Sequence, residues 1–160
     1  MPKKMDSQQI EIIGRNLLIT DLLRSGVEVA RPERDRGVDL IAYLDKDSTF
    51  MAVPMQLKAT SGEAFSVSKK YGSFPDMLSV YVWNALEIAE PEIYALTHLE
   101  SVAVADGLGW TRTASWREKG HYVTTKPSGK VRTQLEPFRV GPGRWVDRLW
   151  SAAALRPAPR

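Results

Sequence analysis

No cysteine occurs among the 160 residues, which excludes a disulfide framework, a thiol nucleophile and every thiolate metal site, and fits a reducing compartment. Histidine is nearly as scarce. His98 and His121 have no second ligand at helical or loop spacing, so zinc and histidine-based nuclease chemistry are disfavoured. Long apolar runs are missing too: none approaches the roughly 18 residues that a membrane span needs. The opening Met1-Pro2-Lys3-Lys4-Met5-Asp6 carries two lysines with no apolar stretch behind them. There is no internal repeat, and no phosphate loop combining glycine, lysine and a hydroxyl residue, so no nucleotide cofactor is expected. These absences predict a soluble, cytoplasmic chain without a membrane partner.

What is present is ordinary globular composition, 43% hydrophobic and 26% charged, with 11 Gly and 10 Pro. A disordered or fibrous chain is excluded, and the length suits one domain over residues 1–160. Charge is spread unevenly. Residues 1–100 hold 11 Lys and Arg against 15 Asp and Glu, whereas residues 101–160 hold 11 against 4. The basic last third predicts a surface that faces a polyanion, although a solvated face produces the same count.

Asp6 with Gln9 three residues on is a capping-box spacing, Ile10 to Leu23 is densely apolar, and Arg24-Ser25-Gly26 supplies a basic last turn and a stop. A helix over about 7–24 follows, apolar nearly all round and so expected to be covered on more than one side. Val27–Arg31, Val38–Leu44 and Thr49–Ala59 read as three strands, Phe65–Tyr71 as a short helix, and Met77–Trp83 as a strand buried on both faces. Glu92–Leu96 is extended. Thr97 with Glu100 caps a second helix, ending at Gly107, with Leu99, Val102 and Ala103 expected on its inner face. Beyond this core of about 7–107, His121–Thr125 and Val131–Phe138 flank Lys126-Pro127-Ser128-Gly129 and predict a basic hairpin within 108–150. A helix over about 143–150, with Trp145, Leu149 and Trp150 on one core face, and a flexible tail over 151–160 complete the chain. The order of elements predicts an α/β sandwich around a mixed sheet.

The chemistry concentrates in the second and third strands. Asp39 stands in Gly37-Val38-Asp39-Leu40-Ile41, where an ionised carboxylate is costly unless a cation or donors compensate it. In Val53-Pro54-Met55-Gln56-Leu57-Lys58-Ala59 the period of two puts Gln56 and Lys58 together on the face opposite Val53, Met55 and Leu57. Asp39, Gln56 and the Leu57 carbonyl can offer oxygens to a hard divalent cation, and Lys58 can orient a water or steady charge on a phosphate. Glu11 falls between Leu18 and Leu22 around the first helix, so it can point at the sheet.

At these residues the chain resembles the PD-(D/E)xK nuclease superfamily, with its restriction-endonuclease-like fold, and most of all its Holliday-junction-resolvase and intron-homing-endonuclease branches. The resemblance rests on a helix-one glutamate, glycine-x-aspartate-apolar, then apolar-x-glutamine-x-lysine. It is close over about 7–58 and extends to Gly107 only in element order. It implies a three-layer α/β sandwich that cleaves DNA with Mg²⁺, or with Mn²⁺ in its place. The family aspartate falls on Asp39, the lysine on Lys58 and the helix glutamate on Glu11. The second acidic position falls on Gln56, a departure that leaves less negative charge around a metal. Double-strand cleavage by one site per chain would call for a homodimer.

Other readings stand beside this one. Asp39 can cap a turn or pair with Arg36, Lys58 can extend from a strand end into solvent, and Glu11 can be an ordinary helix acid. The whole can be a catalytically inactive nuclease fold that binds DNA or protein, or an acidic interaction protein such as an immunity protein. Lys69 and Lys70, beside Tyr71, are candidates for a phosphate backbone, as are Arg112, Arg117, Lys126, Lys130 and Arg132 around Trp110 and Trp116.

Overall fold

The computed structural model describes residues 4–87, 89 and 91–159; Met1, Pro2 and Lys3 of the loose start and Arg160 of the tail lie outside them. Helix α1 spans Ser7–Arg24, with the Asp6–Gln9 capping box formed in both directions. Strands β1 (Glu28–Ala30), β2 (Leu40–Lys46) and β3 (Thr49–Ala59) form an antiparallel meander. Strand β4 (Phe65–Ser68) and a 3₁₀ turn over Lys69–Ser73 lead to β5 (Leu78–Trp83), which pairs parallel with β3. Strand β6 (Glu92–Leu96) and helix α2 (His98–Gly107) follow, then β7 (His121–Thr124), α3 (Gly129–Leu135), β8 (Arg139–Val140) and α4 (Trp145–Ala153). The main sheet has six strands in the order β1-β2-β3-β5-β6-β8, mixed because only β3 and β5 run parallel; β4 and β7 form a separate antiparallel ribbon.

Two cores sandwich the six-stranded sheet. On one face Leu18 and Leu22 of α1 and Trp145, Leu149 and Ala152 of α4 pack on aliphatic sheet residues including Leu40, Val53, Met55, Leu78 and Val80. On the other, Tyr81, Trp83 and Tyr94 meet Phe65 of β4, Val104 of α2, Leu135 of α3, and Trp110 and Trp116 from the turns between α2 and β7. The period-two alternation of β3 sends Val53, Met55 and Leu57 to the aliphatic side, and β5 is buried along its whole length. Gly14 sets how closely α1 approaches, since a Cβ there would overlap the Ala59 Cβ at the end of β3.

Several expectations are corrected. Phe65–Ser68 is a strand, because Phe65 and Val67 alternate inward two residues apart; the turn begins only at Lys69, where the Ser68 hydroxyl accepts from the Lys70 amide. The basic hairpin does not exist. Val131 and Leu135, four residues apart, bury one side of α3, and β7 pairs with β4 instead. Helix α1 is covered on one side only: Ile12 and Leu23 are each 51% exposed. The inner face of α2 is Ser101, Val104 and Ala105, while Leu99 and Ala103 are exposed. In α4, Trp145 and Leu149 are core but Trp150 is half exposed. The helix continues to Ala153, and Arg156 of the expected loose tail pairs with Asp76 at 2.8 Å and donates to the Ala52 carbonyl.

Candidate active site

Asp39 directly precedes β2, and its amide donates to the Met55 carbonyl at 2.9 Å, extending the β2–β3 ladder by one residue. This places the carboxylate against Gln56 and Leu57 of the neighbouring strand. Its Oδ2 accepts from the Leu57 amide at 2.6 Å and from Gln56 Nε2 at 2.9 Å. Burial raises the Asp39 carboxyl above its ordinary value; the Leu57 N–H opposes the shift, Asp35 and Glu11 add to it, and Arg15 opposes it.

Lys58 lies on the same face as Gln56 and reaches into the space between the sheet and β4. Its ammonium donates to Ser66 Oγ at 3.0 Å and lies 5.0 Å from the centre of the Tyr71 ring and 5.8 Å from that of Tyr81. Removal from water, then the nearby Lys70 charge, lowers its pKa to about 8 against an opposing pull from Asp39. Two aromatic side chains two residues apart on β5 hold this wall in place. Tyr81 donates its hydroxyl proton to the Ser66 carbonyl, and Trp83 Nε1 donates to the Ala64 carbonyl at 2.7 Å.

Glu11 sits one turn before Gly14 on α1. Its side chain is half exposed and ion-paired with Arg15, so it faces Asp39 through its field and not through a hydrogen bond. Arg15 went unread in the sequence, although its position four residues after Glu11 is the spacing of a helix ion pair. Its guanidinium pairs with Glu11 and its charge favours the ionised form of Asp39, and its buried Nε has no partner among the described residues. Ser66, Tyr71 and Tyr81 were likewise missed as contacts of Lys58, because each comes from a different element and only the fold assembles them.

The donor set suits a hard dication. Asp39, Glu11, the Gln56 amide and the Leu57 carbonyl are all oxygen donors, and both bonds to Asp39 go to Oδ2, leaving Oδ1 without a hydrogen-bond donor among the described residues. The set holds only two carboxylates, and no group of three His, Cys, Asp or Glu side chains able to hold a metal is found among the described residues.

The basic residues separate into groups. Lys69 and Lys70 are exposed beside Lys58, with Lys69 Nζ 5.2 Å from the Trp116 ring centre and Lys70 Nζ 4.8 Å from that of Tyr71. Arg112 and Arg117 are exposed on the short turns around Trp110 and Trp116. Lys126 follows β7 and Lys130 opens α3, both exposed. Arg132 is tied into the protein by an ion pair with Glu63 and by the Trp83 ring, 5.6 Å away.

No protein-family model matches the chain, and no curated protein matches it by sequence. Among solved structures it is similar to the bacterial homing endonuclease I-Ssp6803I, with a TM-score of 0.53 over 94% of this chain and 96% of that one, at 16% identity. That likeness is one of fold: the chain is a mixed α/β sandwich of nuclease-like architecture.

Proposed function

We propose that the protein is a Mg²⁺-dependent DNA endonuclease, a member of the PD-(D/E)xK superfamily, working in the cytoplasm. The observation that carries the reading is the Asp39 carboxylate held by Gln56 and the Leu57 N–H, with the Lys58 ammonium, on the same strand face as Gln56, near enough to feel the carboxylate's charge, in a nuclease-like sandwich. Asp39, Gln56 and the Leu57 carbonyl would hold the ion, with Glu11 reaching it directly or through water. Bound there, Mg²⁺ (or Mn²⁺) supplies charge neutralisation at the phosphate and an acidified water. Lys58 is held by Ser66 and two aromatic rings, so its charge is aimed before substrate arrives and needs little reorganisation. In this reading it positions the attacking water, which adds across a P–O bond of the backbone. Cutting both strands of a duplex would take two copies of the chain.

A second reading, an inactive nuclease fold serving as a DNA-binding or protein-interaction module, is favoured by one feature. Gln56 already donates to Asp39, which compensates the carboxylate without a metal. Incubation with supercoiled, linear and four-way-junction DNA, with and without Mg²⁺ and Mn²⁺, separates the two. Metal-dependent cleavage of any substrate supports the endonuclease, and none with every substrate supports the module.

A further inference from the structure

The ribbon formed by β4 and β7 carries an open groove of about 460 Å³ that begins at Lys58. Its register sets Ser66 beside Val123 and Ser68 beside His121, so two hydroxyls and an imidazole share the outer face of the ribbon. Lys69 and Lys70 line it from the turn after β4, and Lys119 from the segment before β7. No carboxylate lines the groove, and none of these three lysines has an ion-pair partner among the described residues.

The walls are fixed to each other. The Lys69 amide donates to the Gly120 carbonyl at 2.8 Å, and Gly120 adopts a left-handed backbone, φ +70°, where a Cβ would come within 3.4 Å of the Lys69 stem. Aromatic rings carry the lysine heads: Trp116 under Lys69, Tyr71 under Lys70. Like charges gathered without counter-charge on a held scaffold repel one another, and a bound anion relieves that repulsion. The anion must extend along an open groove, approach hydroxyl and ammonium donors together, and lead to Lys58. A phosphodiester backbone meets all three conditions.

We propose that this groove binds the sugar-phosphate backbone of one nucleic-acid strand, with Lys70 and Lys119 contacting phosphates that flank the one Lys58 serves. The proposal takes the role of Lys58 from the endonuclease reading, but its test needs no cleavage. Anisotropy of a fluorescent DNA duplex, titrated in EDTA over a series of NaCl concentrations, measures affinity and its salt slope for the whole chain. Loss of two phosphate contacts in Lys70→Ala with Lys119→Ala should flatten the log–log slope by about 1.8, at about 0.9 per contact. Lys126→Ala with Lys130→Ala, which lie outside the groove, should change it less. Thermal melting checks that the variants fold, and Lys70→Gln with Lys119→Gln repeats the test if the alanine pair does not. An unchanged slope in the groove variants, or no duplex binding by the unaltered chain, overturns the proposal. Failure of cleavage with the groove effect intact would reject the endonuclease and keep the groove; cleavage with an unchanged slope would do the reverse.

Discussion

The two faces of the central sheet are built from different materials and hold different things. The face under α1 and α4 is aliphatic except for Trp145, whereas the face under β4, α2 and α3 is crowded with Phe65, Tyr81, Trp83, Tyr94, Trp110 and Trp116. Aliphatic packing is directionless and sets distances, as where Gly14 brings α1, and Glu11 with it, against Ala59. The aromatic side has polar tips, and these choose specific partners: Tyr81 and Trp83 grip two carbonyls in and just before β4, whose Ser66 hydroxyl then holds Lys58. The aliphatic face therefore places Glu11 and the aromatic face places the lysine, while Asp39 is held between them by the β2–β3 ladder.

The largest effect should come from the lysine itself. Lys58→Ala should lower DNA cleavage by about 10²–10³-fold in a plasmid-nicking assay while far-ultraviolet circular dichroism stays unchanged. Next comes the contrast between faces. Leu78→Ala, on the aliphatic side, should cost about 2–5 kcal/mol in urea denaturation yet leave cleavage per folded molecule nearly intact. Tyr81→Phe should cost only about 1 kcal/mol, since it removes one hydrogen bond, but should reduce cleavage by loosening the strand that holds Lys58. If both variants lost stability and activity in the same proportion, the division of labour between the faces would fail.

The last of these effects concerns pH. The folded chain releases the Lys58 proton near pH 8, whereas the unfolded chain keeps it to about 10.5, so between these values the unfolded state binds more protons and stability rises with pH. Below about pH 8 the cost of burying the ammonium is fully present. Lys58→Met should therefore be more stable than the unaltered protein at pH 7, with the difference shrinking as pH climbs toward 10, read from urea midpoints. Cleavage that depends on the charged lysine should decline above about pH 8.

Local signals made much of this legible. The Asp6–Gln9 and Thr97–Glu100 boxes are hydrogen-bond patterns within four residues, and both helices start where those boxes place them. The alternation of β3 put Gln56 and Lys58 on one face because strand geometry leaves no other choice. What failed depended on distant partners. Lys126-Pro127-Ser128-Gly129 has the residues of a hairpin turn, but β7 found a better partner far back along the chain in β4, and Val131 and Leu135 then followed a helical period. The basic groove draws Lys58, Lys69 and Lys70 from the net-acidic first 100 residues and only Lys119 and His121 from the basic third. Summing charge along the chain could not reveal a cluster that folding assembles from three segments.

The proposed divalent-cation site is the open side of Asp39 with Gln56 and the Leu57 carbonyl. Calorimetric titration of Mg²⁺ into the unaltered protein, Gln56→Glu and Asp39→Ala tests it most directly. A carboxylate in place of the amide adds a negative charge to the donor set, so Gln56→Glu should bind Mg²⁺ more tightly and Asp39→Ala should not bind it. An isotherm that Gln56→Glu leaves unchanged, together with a lower melting temperature from repulsion of the introduced carboxylate by Asp39 and Glu11, would rule out a cation site there.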